Sequence, residues 1–279
     1  PTRRSSDLTP TQVIKDSDHP NSKCYMWVHR SGEFYEDRPI VIYEYQKGRD
    51  HKRPLEFYKD YSGILVTDSL QQYHLIEKKL PNVTNANCWA HARRSFADAV
   101  KIADKKDPKS VKQSVAYQAL QKIGKFYTAD TELKMLSSQE RLQKRQEFIK
   151  PLVEEFFAWV KEQIEQCSVP PKSKTGEGLQ FIINQEKYLR VFLEDGDVPI
   201  DNSASERAIR TFCLGKKNWM FHNTANGAAA SALVYSISET AKLNNLRPYY
   251  YFKYILTELP NFCDEQGNID STKLDDLMP

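Results

Sequence analysis

Asp68 and Glu206 are the two carboxylates in this chain best placed to do chemistry. Asp68 closes the run Gly63-Ile-Leu-Val-Thr-Asp68, whose continuous apolar residues suit a strand covered on both faces. Open α/β sheets collect ligands beyond the ends of such strands, so an acid there reaches a site without being buried unpaired. Glu206 lies in Asp201-Asn-Ser-Ala-Ser-Glu206-Arg-Ala-Ile-Arg210, on the first turn of a predicted helix beside Arg207 and Arg210. Carboxylates flanked by guanidinium groups suit a metal held against a phosphodiester. Each acid also has a structural alternative. Asp68 or Ser69 could cap a helix starting near Gln71. Ser203 and Glu206 fit a capping box, and Glu206 stands four residues before Arg210, the spacing of a helical ion pair.

Between the two acids, Cys88-Trp-Ala-His91-Ala-Arg93-Arg94 offers a thiol and an imidazole at metal-ligand spacing. A structural zinc needs four ligands, and no second Cys/His pair at useful spacing follows, so spacing alone predicts no zinc site. Arg93 and Arg94 suit phosphate contacts, as they suit an ordinary helix surface. Lys216-Lys217-Asn-Trp219 adds two cations and an aromatic, either a nucleic-acid surface or a solvated turn with Trp219 in the core.

These residues need elements to position them. Gln12–Ile14, Cys24–Arg30 and Ile40–Tyr45 read as strands of an antiparallel meander, and Leu55–Tyr61 as a short helix. The Asp68 strand, a helix over Gln71–Lys79 and a weaker strand over Val83–Trp89 complete a mixed α/β sheet. From Ala92 to about Leu193 the pattern turns helical: Ala116, Leu120, Ile123 and Tyr127 share one face, as do Leu152, Phe156, Trp159 and Val160. Glu140–Lys150 carries Arg141, Lys144, Arg145 and Glu147 and reads as solvated on one side. Ser168–Lys174 reads as a loop, and helices follow over Gly178–Leu193, Ala228–Asn244 and Tyr249–Leu259.

Composition narrows the class. At 279 residues, 40% hydrophobic and 28% charged, the chain is globular. A net charge of +3 permits nucleic-acid binding without arguing for it, so any DNA contact has to come from local clusters. Five cysteines without disulfide-like spacing favour a reducing cytosol. No apolar run approaches a membrane span and no signal peptide is visible. The octapeptide Pro1–Leu8 matches one reading frame of a common sequencing adapter, so residues 1–8 read as a non-native scar before a natural sequence beginning near Thr9.

Taken in order, the motifs ending at Asp68, around Cys88–Arg94, around Glu206 and at Gly215-Lys-Lys-Asn-Trp219 resemble the DDE transposases of the insertion-sequence-66 family. The likeness runs from about Thr9 to Pro260, and the helix through Ala229–Lys242 resembles that family's C-terminal segment. It implies a ribonuclease-H-like core, a mixed sheet with a large all-helical insertion between the second and third acids. The implied organisation is 9–91 as the first part of the core, 92–195 as the insertion and 196–222 as the Glu-bearing segment. A C-terminal helical segment, 223–262, and a loose acidic tail, 263–279, complete it.

The resemblance further implies Mg²⁺-dependent cleavage at transposon ends and strand transfer into target DNA. Asp68 and Glu206 are then metal ligands and the second and third catalytic acids. Two Mg²⁺ ions are implied, with Mn²⁺ as a substitute. Arg93, Arg94, Arg207, Arg210, Lys216 and Lys217 fall on the DNA side, with Cys88, His91 and Asn202 in support. The implied partners are DNA and further copies of the chain assembled on it, in a bacterial cytosol at the nucleoid and away from membranes.

This sequence departs from the family pattern in several places. The usual first acid stands in Asp-Glu-Thr-Pro, where this chain has Asp7-Leu-Thr-Pro10, so Asp7 matches by position within the octapeptide read as a scar. Ser69-Leu70 replaces the usual Gly-Tyr after the second acid, and Ser203 stands where a second asparagine is common. The family's upstream end-recognition region is missing, which implies N-terminal truncation. Two other functions compete: a domesticated or catalytically incomplete DNA-binding protein of the same fold, and a metal-independent enzyme using Cys88 and His91 as nucleophile and base, which lacks an evident third group.

Overall fold

The computed structural model describes residues 2–15, 24–50, 52–105, 108–264, 266, 268–269 and 271–279; of the segments read from sequence, Pro1 and the tail positions Glu265, Gly267 and Asp270 lie outside them. Its strands are β1 (Arg3–Thr11), β2 (Val13–Lys15), β3 (Cys24–Ser31), β4 (Val41–Gln46), β5 (Gly63–Thr67), β6 (Val83–Asn87) and β7 (His222–Thr224). Five form one mixed sheet in the order β4-β3-β1-β5-β6, and β2 pairs with β7 apart from it. β3 runs antiparallel to β1 and β4, whereas β5 runs parallel to β1 and β6.

The first strand of the meander is therefore β1, not the Gln12–Ile14 run, whose neighbour Val13–Lys15 pairs with β7 instead. Hydrophobic alternation does not reveal β1, because its centre is Ser5-Ser6-Asp7 and all three are buried. Side chains distant in sequence satisfy its hydroxyls. Ser205 Oγ donates to Ser5 Oγ at 2.7 Å, and Tyr73 Oη donates to Ser6 Oγ at 3.0 Å. Residues 3–8 of the octapeptide thus lie in the central strand of the sheet.

Alternation does hold along β3, where Met26 and Val28 face one side and Trp27 the other. Trp27 packs with Tyr58, Leu65, Tyr73 and Ile76 beneath α1 (Lys52–Phe57) and α2 (Gln71–Lys79). The opposite face meets the long helices described below.

After α3 (Trp89–Ala92) come α4 (Arg94–Asp104), α5 (Pro108–Val111), α6 (Val115–Glu132) and α7 (Ser138–Lys144). A π-helical turn, Arg145–Ile149, leads into α8 (Lys150–Glu165), then α9 (Lys174–Asn184), α10 (Glu186–Leu189) and a 3₁₀ turn at Val191–Leu193. Ala116, Ile123, Phe156 and Val160 are buried as their spacing predicts, around Trp89 and Phe126. Trp89 belongs to this core, and its indole N–H donates to the Leu189 carbonyl at 2.8 Å.

The charged Glu140–Lys150 stretch is solvated on one side, as its charge predicts. Lys144 and Glu147 face out, whereas Arg141 and Arg145, one turn apart, face in. Arg145 has no exposed surface. It grips both carboxylate oxygens of Asp130 and the carbonyls of Phe192, Asp195 and Val198 in the return to the sheet.

Three helices complete the chain: α11 (Ser203–Trp219), α12 (Ala225–Leu243) and α13 (Pro248–Glu258). Ala208, Ile209 and Phe212 of α11, with Ala232 of α12, cover the face of the sheet that carries Met26, Val28, Val41 and Tyr43. In the tail Leu277 is buried and its carbonyl accepts from Tyr251 Oη at 2.8 Å.

Candidate active site

Three elements bring three carboxylates to one end of the sheet. The parallel register sets Ser5 opposite Val66, so Asp7 within β1 and Asp68 just beyond β5, each two residues further on, lie side by side. Glu206 comes from the first turn of α11, which packs on β1 and is pinned there by the Ser205–Ser5 hydroxyl contact. Asp7 is 9% exposed and its Oδ1 accepts the Leu8 N–H at 2.7 Å. Burial pushes its carboxyl up to about 7, and the negative charges of Asp68 and Glu206 push the same way. Asp68 is also raised, again chiefly by burial, with His91 and Arg94 opposing. Among the described residues neither Asp7 nor Asp68 is joined to a basic side chain by an ion pair.

The structural alternatives for the acids are largely absent. α2 starts after Leu70 without a side-chain cap, and Asp68 accepts only a long 3.3 Å bond from Leu70 N–H. Ser69 between them has φ +72°, the left-handed region that favours glycine, and its buried Oγ has no hydrogen-bond partner. The capping box at Ser203 does not form, because Ser203 is already helical and Asn202 occupies the cap position without a side-chain cap bond. Glu206 turns to His91, whose Nδ1 lies 3.4 Å from Glu206 Oε1, instead of to Arg210.

Asn202 is held by two other bonds. Its amide Nδ2 donates to the Ser6 carbonyl at 2.9 Å, and its backbone N–H donates to Cys88 Sγ at 3.2 Å. Cys88 N–H in turn donates to the Thr67 carbonyl at 3.0 Å, and Glu206 N–H to the Asn202 carbonyl at 3.1 Å. The residues just before Asp7 and Asp68 are thereby tied to the helix start that carries Glu206. Burial pushes the Cys88 thiol up to about 12. Burial and Arg94 lower His91, against the pull of Asp68 and Asp201.

The basic residues divide. Arg93 and Arg94 are exposed at the start of α4, and Arg94 is close enough to act on Asp7, Asp68 and His91. Arg210 is exposed one turn beyond Glu206. Arg207 instead pairs with Glu33 at 3.1 Å. Lys216 lies about 15 Å further along α11 at 1.5 Å per residue, where its Nζ donates to the Pro10 carbonyl at 2.6 Å. Lys217 is exposed beside it, and both belong to the last turn of the helix, not a surface turn; Trp219 there stacks edge-on against Phe212.

Two contributors were missed in the sequence. Asp201 accepts Ser203 N–H at 2.9 Å and adds a fourth carboxylate whose charge reaches His91. Thr67, Asn85, Asn87 and Gln185 form a buried hydrogen-bonded chain beneath Asp68. The chain beneath Asp68 carries no local sequence signal, since it depends on the pairing of β5 with β6, and only the fold brings Asp201 toward His91.

A family profile described as Transposase IS66 family matches residues 3–230, and one described as IS66 C-terminal element matches residues 236–279. Three uncharacterized proteins of Sinorhizobium fredii (strain NBRC 101917 / NGR234) are similar. Protein y4hP is 29% identical over 86% of this chain and 43% of its own length, and y4qI is 27% identical over 91% and 47%. Protein y4jD is 23% identical over 92% and 49%. The chain spans less than half the length of these relatives. No described helix is long and apolar enough to cross a membrane. With the acids on β1, just after β5 and on α11, and with both profiles matched in order along the chain, this protein belongs to the IS66 transposase family.

Proposed function

We propose that the chain is the catalytic region of a Mg²⁺-dependent DNA transposase with a ribonuclease-H-like core. Asp7, Asp68 and Glu206 are its three acids. One observation carries this reading: three carboxylates from separate elements lie close enough for Asp68 and Glu206 to raise Asp7. Like charges gathered around the buried Asp7 are costly unless something neutralises them. The donor set is all oxygen, which fits a hard divalent cation. Asp7, Asp68 and Glu206 would hold Mg²⁺, or Mn²⁺ in its place. Two such ions supply activation of the attacking oxygen and stabilisation of the leaving one in an in-line displacement.

The chain's own residues do the rest. Exposed Arg93, Arg94 and Arg210 pair with phosphates and set the strand's register without reading sequence. The bonds from Asn202 to Cys88 and Ser6 fix the three acids relative to one another. Water then cuts at the transposon end, and the freed 3′-hydroxyl attacks target DNA. A full acid set disfavours a catalytically incomplete DNA-binding protein. Cys88 lies buried against an amide N–H and burial pushes its thiol up to about 12, which disfavours a thiol nucleophile.

The test is strand transfer on matching transposon ends with Mg²⁺, using a protein of full natural length. Asp68→Ala and Glu206→Ala should each abolish it. Undiminished activity in either variant would remove that residue's role.

A further inference from the structure

Cys88, His91 and Glu206 are brought together by the fold although no four-ligand pattern exists in the sequence. Their ligand atoms all lie within 4.8 Å of one another. Zinc bonds to sulfur at about 2.3 Å and to nitrogen or carboxylate oxygen at about 2.0–2.2 Å, so tetrahedral neighbours sit roughly 3.3–3.7 Å apart. His91 Nδ1 and Glu206 Oε1 are already at 3.4 Å. The Nδ1 atom is buried and has no hydrogen-bond partner, leaving its lone pair free to ligate. Cys88 Sγ accepts the Asn202 N–H, a contact that also stabilises a metal-bound thiolate. His91 and Glu206 keep 16% and 32% of their side-chain surface exposed, so the site is reachable from solvent.

We propose that Cys88, His91 and Glu206 form a site for a soft divalent cation of the zinc class, with its fourth position open toward the acids. Sulfur and imidazole ligands select zinc over magnesium. Binding replaces the thiol proton by the metal: the S–H bond breaks, a sulfur–metal bond forms and one proton is released to solvent. Glu206 is shared with the oxygen-ligand site, so zinc-class occupancy withdraws the third acid. Only this inhibitory consequence rests on the transposase reading; the binding itself does not.

Cobalt(II) titration of the full chain tests the site. One equivalent should produce a thiolate-to-cobalt charge-transfer absorption together with intense tetrahedral visible bands. Cys88→Ser should abolish the charge-transfer band and Cys167→Ser should retain it. His91→Gln should weaken binding at least tenfold in a chain whose circular dichroism is unchanged. Absence of the band, or its survival in Cys88→Ser, overturns the proposal. If Cys88→Ser fails to fold, unaltered affinity in His91→Gln overturns it instead. Cobalt binding by a protein of full natural length that performs no strand transfer with Mg²⁺ alone would sink the transposase reading and leave the site standing.

Discussion

Replacing Asp7 by asparagine should make the metal-free protein more stable at neutral pH. Asp7 is 9% exposed and its carboxyl is raised from 3.8 to about 7 by burial and by the charges of Asp68 and Glu206. A raised acid binds its proton more tightly in the folded state, so stability falls as pH rises from the unfolded value to the folded one and levels off above it. At 1.36 kcal/mol per unit the ceiling is about 4 kcal/mol, of which about 3 kcal/mol falls between pH 5 and pH 8. Asparagine is nearly isosteric, keeps an acceptor for Leu8 N–H and cannot ionise. The assay is thermal unfolding of both proteins in EDTA at pH 5 and pH 8. The advantage of Asp7→Asn should grow between the two by about 3 kcal/mol, roughly 6–12 °C in Tm for a chain of this size. Saturating Mg²⁺ at pH 8 should erase or invert it, because the cation stabilises the wild-type carboxylates. An advantage that does not change with pH would refute the electrostatic argument.

Three further outcomes follow from particular contacts. Ser69→Gly should stabilise the chain by about 1 kcal/mol in denaturant unfolding, because it relieves a φ of +72° and removes an unpartnered buried hydroxyl; a loss of stability would show that the serine hydroxyl has a partner. Arg145→Met should destabilise by about 3–5 kcal/mol, since it strands the buried Asp130 and removes the guanidinium donor from the Phe192 and Val198 carbonyls. Arg145→Met with Asp130→Leu should recover much of that loss, and a double variant no better than the single would contradict the pairing. Asn202→Ala should cost about 1–2 kcal/mol for the buried bond to Ser6 and weaken Mn²⁺ binding measured by paramagnetic resonance; unchanged Mn²⁺ affinity would show that the acids are positioned without it.

What was legible in the sequence is what depends on local pattern. The apolar run ending at Asp68 announces a covered strand, and the helical faces of Ile123 and Phe156 announce the insertion core. Burial of Ser5, Ser6 and Asp7 was not legible, because their partners Ser205, His29 and Tyr73 arrive from other elements. Charge misled at Arg145, where a buried guanidinium gathers carbonyls that no sequence pattern marks. The capping box at Glu206 failed for a related reason. Asn202 is fixed by Ser6 and Cys88, and this starts the helix one residue too early for Ser203 to cap it.

The central claim is that Asp7, Asp68 and Glu206 together hold the divalent ions. Anomalous diffraction from crystals soaked in Mn²⁺ tests it directly. The account predicts density bounded by oxygens of all three carboxylates, lost in Glu206→Gln. Density elsewhere on the chain, or none among these acids at saturating Mn²⁺, would contradict it.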